Sequence, residues 1–317
     1  MPMPSSKPNR IDFHHHILPP EYVSAVGAPV IGGITGKTEP PKWSVAEALE
    51  LMDGFGVEIA MTSVSAPGLP LKDSTLLQRV ARGCNDFAKQ MSTDHPSRFG
   101  MLATLPLPDV AASLAEIAYA LDVLGADGIT LMTNYDGLYL GDAHFAPVFD
   151  ELNRRKAVVF VHPTVCACSA SLGIGVPPSM IDFPHETTTT ITSLLFNATF
   201  SRCPDIRFVF SHAGGTVPYI ANRIAGGIAR LNPNLADSLP ILKRMHYDVA
   251  LSLFPQTMAA LLDFVPRTQL VYGTDYPFFP NALAAANDRL AAMKLDERTF
   301  AMLERENALA LVPRFRK

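Results

Sequence analysis

Short apolar runs rich in β-branched residues recur along this chain, each followed by a longer stretch with helical periodicity, and this alternation constrains the fold more than any other feature. The runs are Arg10–Ile17, Val57–Val64, Arg98–Leu105, Asp127–Met132, Ala157–His162, Ile206–His212, Met245–Leu251 and Gln269–Thr274. Strands alternating with helices pair in parallel, and eight of them close a cylinder, so the expected fold class is α/β, a TIM (β/α)8 barrel. The stretches between them, Val45–Phe55, Leu76–Ser92, Val110–Leu124, Phe145–Arg154, Thr188–Ser201, Val217–Leu231, Thr257–Phe264 and Leu283–Ala292, read as amphipathic helices. Glu297–Leu311 reads as a closing helix, capped near Asp296 and stopped near Pro313. Two stretches, Pro19–Pro41 and Pro163–Pro184, are dense in Gly and Pro and directly follow a strand. They are expected to be structureless insertions overhanging the rim where barrel enzymes carry their sites. A length of 317 residues suits one barrel domain, 11–317, behind a flexible arm, 1–10.

A net charge of −4 with mixed signs and no basic cluster excludes nucleic acid as a partner. No apolar stretch is long enough to span a bilayer, and the first ten residues lack the apolar core of a secretory signal, so a soluble cytoplasmic protein is expected. Four cysteines are too few and scattered for a disulfide framework; Cys166-Ala-Cys168 reads as a pair of loop thiols.

The ends of the runs carry the chemistry. Asp12-Phe13-His14-His15-His16 ends the first strand, where alternation sends His14 and His16 to one side and His15 to the other. Two further apolar runs end in His162 and His212, and a fourth ends in Asp275. In a closed parallel barrel every strand's C-terminal end meets the same rim, so these residues are expected to converge there. His14, His16, His162 and Asp275 form a nitrogen-rich set with one carboxylate, which suits zinc and tolerates manganese or iron. His212 is assigned to acid/base work beside an open coordination position, its alternative being a fourth imidazole ligand.

Other residues are read with their alternatives. Glu186, expected just ahead of a helix, either orients a ligand histidine or complements the helix N-terminus. Asp248 is a partner for a ligand histidine or an interior hydrogen bond. Arg223 is a surface cation or a carboxylate receptor, and Trp43 a wall for a flat substrate. His95, His144 and His246 lack convergence and read as structural.

Asp12-Phe13-His14-His15-His16, Val161-His162-Pro163, Ser211-His212-Ala213-Gly214-Gly215 and Tyr272-Gly273-Thr274-Asp275-Tyr276-Pro277-Phe278 resemble the aminocarboxymuconate-semialdehyde decarboxylase branch of the amidohydrolase superfamily. Within it, Ser63-Val64-Ser65-Ala66-Pro67-Gly68, Ala126-Asp127-Gly128-Ile129-Thr130-Leu131 and Phe183-Pro184-His185-Glu186-Thr187 are most similar to 6-methylsalicylate decarboxylases. The resemblance implies that His14, His16, His162 and Asp275 bind the ion and that His212 is the catalytic histidine. It implies that Arg223 reaches a substrate carboxylate from a neighbouring subunit, hence a homodimer; Trp43, Glu186 and Phe278 are the other expected substrate contacts. The branch's dicarboxylate enzymes carry another arginine in the first loop; here that stretch reads Lys37-Thr38-Glu39-Pro40-Pro41-Lys42-Trp43, which favours a monocarboxylic aromatic acid.

The expected activity is metal-dependent, non-oxidative decarboxylation of a small ortho-hydroxy aromatic acid, with the ring proton delivered through Asp275 or His212. The same ligands would serve a hydrolase that activates water against a lactone or amide. A non-catalytic metal-binding barrel is the reading from outside enzymology, and the extra histidine speaks against it.

Overall fold

The computed structural model describes residues 9–166, 168–169, 174–235 and 238–316; most of the expected arm, residues 1–8, lies outside them. Eight strands run in parallel in simple sequential order: β1 Arg10–Ile17, β2 Val57–Val64, β3 Phe99–Thr104, β4 Gly128–Met132, β5 Val158–His162, β6 Arg207–Phe210, β7 His246–Asp248 and β8 Leu270–Val271. The seam between last and first strand is closed by main-chain bonds, Phe13 N to Tyr272 O at 2.8 Å, Asp275 N to His14 O at 2.9 Å and His16 N to Tyr276 O at 2.7 Å. The expected (β/α)8 barrel is therefore what forms.

Four of the helices start where a side chain satisfies a free amide. Ser44 accepts from Glu47 N, Asp73 from Leu76 N, Asp109 from Ala112 N and, as expected, Asp296 from Thr299 N. Two apolar layers result. A large one lies between strands and helices, with Met52, Phe149, Leu194 and Phe200 fully buried. A smaller one fills the cylinder, where Ile11, Phe13, Ile59, Leu102, Phe160 and Val209 meet Leu311, Val312 and Phe315 from the chain's last turns.

β1 carries an irregularity that matters for the site. Asp12 pairs with Ala60 but His15 with Thr62, so β1 spends three steps where β2 spends two. One extra residue reverses the side-chain parity. Ile11 and Phe13 point into the cylinder below this point, His14 and His16 above it, and both Phe13 and His14 lie edge-on to Phe160.

Several expectations are corrected. Pro19–Pro41 is not structureless: Pro20–Val26 and Ala28–Gly33 are short helices, because Tyr22, Val26 and Ile31 pack onto Leu77, Val80 and Ala81 of the helix Ser74–Asp94. The helix expected from Thr188 begins at Pro178 and runs through Pro184 to Phe196, its early turns held by burial of Phe183. The run ending in His212 is strand only to Phe210, since His212 and Ala213 take left-handed backbone at φ 51° and 59°. Cys166 and Cys168, expected as thiols, are joined as a disulfide; Ala167 between them lies outside the described residues.

Candidate metal centre and its cavity

His14 and His16 rise from the end of β1, His162 ends β5, and Asp275 follows β8 by four residues. One ligand atom from each lies within 4.8 Å of the others, and all four residues are buried. The remote ring nitrogens explain the orientation. His14 Nδ1 sits 2.8 Å from Asp248 Oδ2, His16 Nδ1 3.1 Å from Ser63 Oγ and His162 Nδ1 2.8 Å from Pro163 O. Each imidazole is thereby fixed with Nε2 aimed at the common centre.

What meets there is a set of unsatisfied electron pairs. His14 Nε2 and His16 Nε2 face each other at 2.9 Å, Asp275 Oδ1 lies 3.2 Å from both, and His162 Nε2 is buried with no hydrogen-bond partner. Buried polar atoms are normally paired, so converging lone pairs without donors fit a cation and little else. The electrostatics agree. Burial opposes a charged His14, yet Asp248 and Asp275 outweigh it and raise its pKa to about 10. Burial lowers His16 to about 4, with His14 and His15 adding to it, and burial with the neighbouring imidazoles holds His162 well below the usual range. Burial alone would lift the Asp275 carboxyl, but the histidines around it hold it well below the carboxylate range. Asp248 and Asp275 together favour positive charge at this centre. A divalent metal site is the arrangement these donors support.

His212 stands beside this centre. Its Nε2 is 3.5 Å from Asp275 Oδ2, its backbone N donates to Asp248 Oδ1 at 3.0 Å, and its Nδ1 is buried without a partner. The tight turn carrying it needs Gly215: a Cβ there would lie 2.0 Å from the carbonyl oxygen of Pro184. Asp248 thus serves His14 and His212 together, as the partner role anticipated. His15 faces away, its Nδ1 2.9 Å from Asp12 Oδ2 and its ring 4.8 Å from that of Tyr276.

His212 and Asp275 open onto a cavity of about 340 Å³ walled chiefly by Met180, Phe183, Leu251, Phe254 and Phe279. Among the described residues lining it none is lysine or arginine. A larger hollow of about 570 Å³ lies behind Tyr276 and Phe278, but none of the four ligand residues lines it.

The remaining expected site residues disperse. Phe278 is buried with its ring 5.8 Å from His16, while its neighbour Phe279 forms the cavity wall. Trp43 does not line the cavity; it follows the first loop onto the outer helices and packs on Phe87. Glu186 sits in the third turn of the helix Pro178–Phe196, not at its start, and touches no ligand histidine. Arg223 is exposed on the helix Val217–Leu231. His95, His144 and His246 stay outside the cluster.

Sequence reasoning missed Ser63 and the anchoring role of Asp12, which takes Thr274 N, Thr274 Oγ1, His14 N and His15 Nδ1 and so ties β1 to the segment bearing Asp275. Asp12 stood in the first motif and Ser63 opened the motif Ser63-Val64-Ser65-Ala66-Pro67-Gly68, but nothing local showed which side chain either would hold. The apolar wall was invisible because it is assembled from loops after β5, β7 and β8.

A family described as Amidohydrolase matches residues 11–314. The chain is 37% identical over 334 residues to a protein named Decarboxylase yanB from Aspergillus niger, covering 97% of this chain and 88% of that one. It is 34% identical over 316 residues to a 6-methylsalicylic acid decarboxylase from Penicillium expansum, with 97% of each covered. Among solved structures, a crystal structure of an amidohydrolase II superposes with a TM-score of 0.89 at 27% identity, covering 96% of this chain and 99% of the other. No described helix is long and apolar enough to cross a membrane.

Proposed function

The chain belongs to the amidohydrolase family, and from that premise we propose that it is a metal-dependent decarboxylase of a small ortho-hydroxy aromatic acid of the 6-methylsalicylate kind. The observation that carries this reading is the convergence of four buried donors, His162 Nε2 among them without a partner, beside His212 at the floor of an apolar cavity. Relatives over nearly the full chain whose names are decarboxylases give the reaction its class.

His14, His16, His162 and Asp275 are the residues that would hold the ion. When bound, a divalent cation supplies Lewis-acid stabilisation of the negative charge on phenolate and carboxylate oxygens. Three imidazoles and one carboxylate favour zinc, with manganese or iron as competitors; elemental analysis and reconstitution with each metal decide between them. His212 and Asp275 handle the proton, since Asp275 Oδ2 and His212 Nε2 are 3.5 Å apart at the cavity floor. A proton added to the ring carbon bearing the carboxylate interrupts aromaticity. The bond to the carboxylate then breaks, its electron pair restores the ring and carbon dioxide leaves. Apolar walls assist by removing water from a charged carboxylate whose departing product is neutral. Lining residues without Lys or Arg suit an acid with one carboxylate only.

The substrate set extends to Arg223, which shares a helix face with Tyr219, a tyrosine 86% exposed. A second copy covering that face would make a homodimer and bring Arg223 to the substrate carboxylate. Sedimentation measures the first point, and unchanged affinity of Arg223→Ala for the acid would remove that residue from the site. The activity itself is tested by carbon dioxide release from 6-methylsalicylate and a salicylate panel by metal-loaded protein. Release is expected; none, together with opening of a lactone, would replace this reading by hydrolysis.

A further inference from the structure

The helix Pro178–Phe196 meets the rim at several points. Its early turns supply Met180 and Phe183 to the cavity wall. Phe183 clusters with Ile34, Ala66 and Val165, from the segments after β1, β2 and β5, and its ring lies 5.8 Å from that of His162. On one flank Thr188 Oγ1 donates to Pro184 O at 2.8 Å and accepts from Thr216 N at 2.9 Å, while Gly215 packs beneath Pro184. That flank docks the helix on the turn carrying His212.

The other flank is held by a carboxylate. Glu186 is 3% exposed; its Oε1 accepts from Tyr139 OH at 2.6 Å, and its Oε2 from Asn134 Nδ2 at 2.7 Å and Thr133 Oγ1 at 3.3 Å. All three donors belong to the segment after β4. Thr133 Oγ1 also accepts from Thr164 N, and Asn134 Nδ2 donates to Val165 O, so the same knot reaches the segment after His162. Burying a carboxylate is expensive when neutral donors alone surround it, and simple packing would be served better by an apolar side chain. Both oxygens are occupied by the knot, so Glu186 acts at a distance from the ligand.

We propose that Glu186 is a positioning residue for substrate: by gathering Thr133, Asn134 and Tyr139 it fixes the helix Pro178–Phe196 so that Met180 and Phe183 hold the cavity wall against His162 and His212. The proposal rests on the cavity being the substrate site. The ion's ligands come from β1, β5 and the segment after β8, so loosening this helix moves the wall without emptying the metal centre.

The test uses Glu186→Gln, which spoils the acceptor set, and Tyr139→Phe, which removes one donor from a half-buried position and leaves the fold less exposed to failure. For each metal-loaded protein, metal content, the KM and kcat for 6-methylsalicylate, the binding of 2-nitrophenol and hydrogen exchange at amides 179–186 are measured. Expected are unchanged metal content, faster exchange at 179–186, and KM and the nitrophenol Kd raised about tenfold in Glu186→Gln and less in Tyr139→Phe, with kcat within about threefold. A lowered melting temperature with KM and exchange unchanged, or loss of metal that accounts for the whole effect, would overturn it. If the wild type neither binds nor converts these aromatics, the decarboxylase reading fails and the substrate role of Glu186 with it; exchange at 179–186 then tests only whether Glu186 fixes the helix, and no change rejects that as well.

Discussion

The two mouths of the barrel are built on opposite plans. At the lower end Leu311, Val312 and Phe315 stopper an apolar interior, and three ion pairs surround them: Arg10 with Glu304 at 2.7 Å, Arg305 with Glu58 at 2.6 Å, Arg314 with Asp127. At the upper end His162 Nε2 and His212 Nδ1 are buried without partners, and His212, Ala213, Leu251 and Asp275 all hold left-handed backbone. Satisfied groups stabilise; unsatisfied groups and strained backbone persist only where surrounding structure holds them, and they mark where chemistry is done. The contrast teaches that stability and reactivity are assigned to different ends of the same strands.

Substitutions can break this division. The largest effect is expected from His162→Ala, which removes an ion ligand: kcat/KM for the aromatic acid should fall by roughly 10³-fold or more, the scale of lost electrostatic stabilisation, with bound metal lost and the melting temperature little changed. Leu311→Ala at the other mouth should do the converse. It costs about 3 kcal/mol of unfolding free energy in denaturant titration while the folded fraction keeps its kcat/KM. A stopper mutant that loses activity per folded molecule would show that the ends are coupled.

Asp248→Asn sharpens the comparison, because Asp248 is the last residue of β7 and holds two rim histidines at once. Metal affinity should weaken about 10- to 100-fold, as expected for loss of a partner to a ligand imidazole, with equilibrium dialysis as the measurement. The smallest effect concerns His246, at the lower end of β7. Burial, aided by Arg207, lowers its pKa from 6.5 to about 4. The folded protein holds it neutral where the unfolded chain takes up a proton, so its contribution is complete above pH 6.5 and is lost as pH falls towards 4. His246→Gln should reduce the stability change across that window by on the order of 3 kcal/mol, at about 1.36 kcal/mol per pH unit. The slope in the two proteins above pH 7 should coincide.

Much of this division was legible in the residues. Strands ending in His16, His162 and His212, with Asp275 closing the last motif, announced a rim because barrel topology delivers every strand end to one place. The order of the strands followed from periodicity. What escaped depends on contacts between segments far apart in sequence. Ser63 is an ordinary serine until His16 turns towards it, and Glu186 looked like the start of a helix because Pro184 and the glycines before it imitate a loop. Trp43 suggested a pocket wall by its type, but the helices Pro20–Val26 and Ala28–Gly33 carry that loop onto the outside of the barrel. Strand ends were overestimated at β6 and β7, where the chain leaves extended geometry to aim a side chain, a choice set by the site and not by local propensity.

The extra residue between Asp12 and His15 has a practical reach. Engineers who transplant a His-x-His pair onto a regular eight-stranded scaffold, keeping the aromatic filler one position below, would find the imidazoles facing the helices. The irregularity has to travel with the pair, so the smallest portable unit of this centre is a distorted piece of backbone together with its side chains.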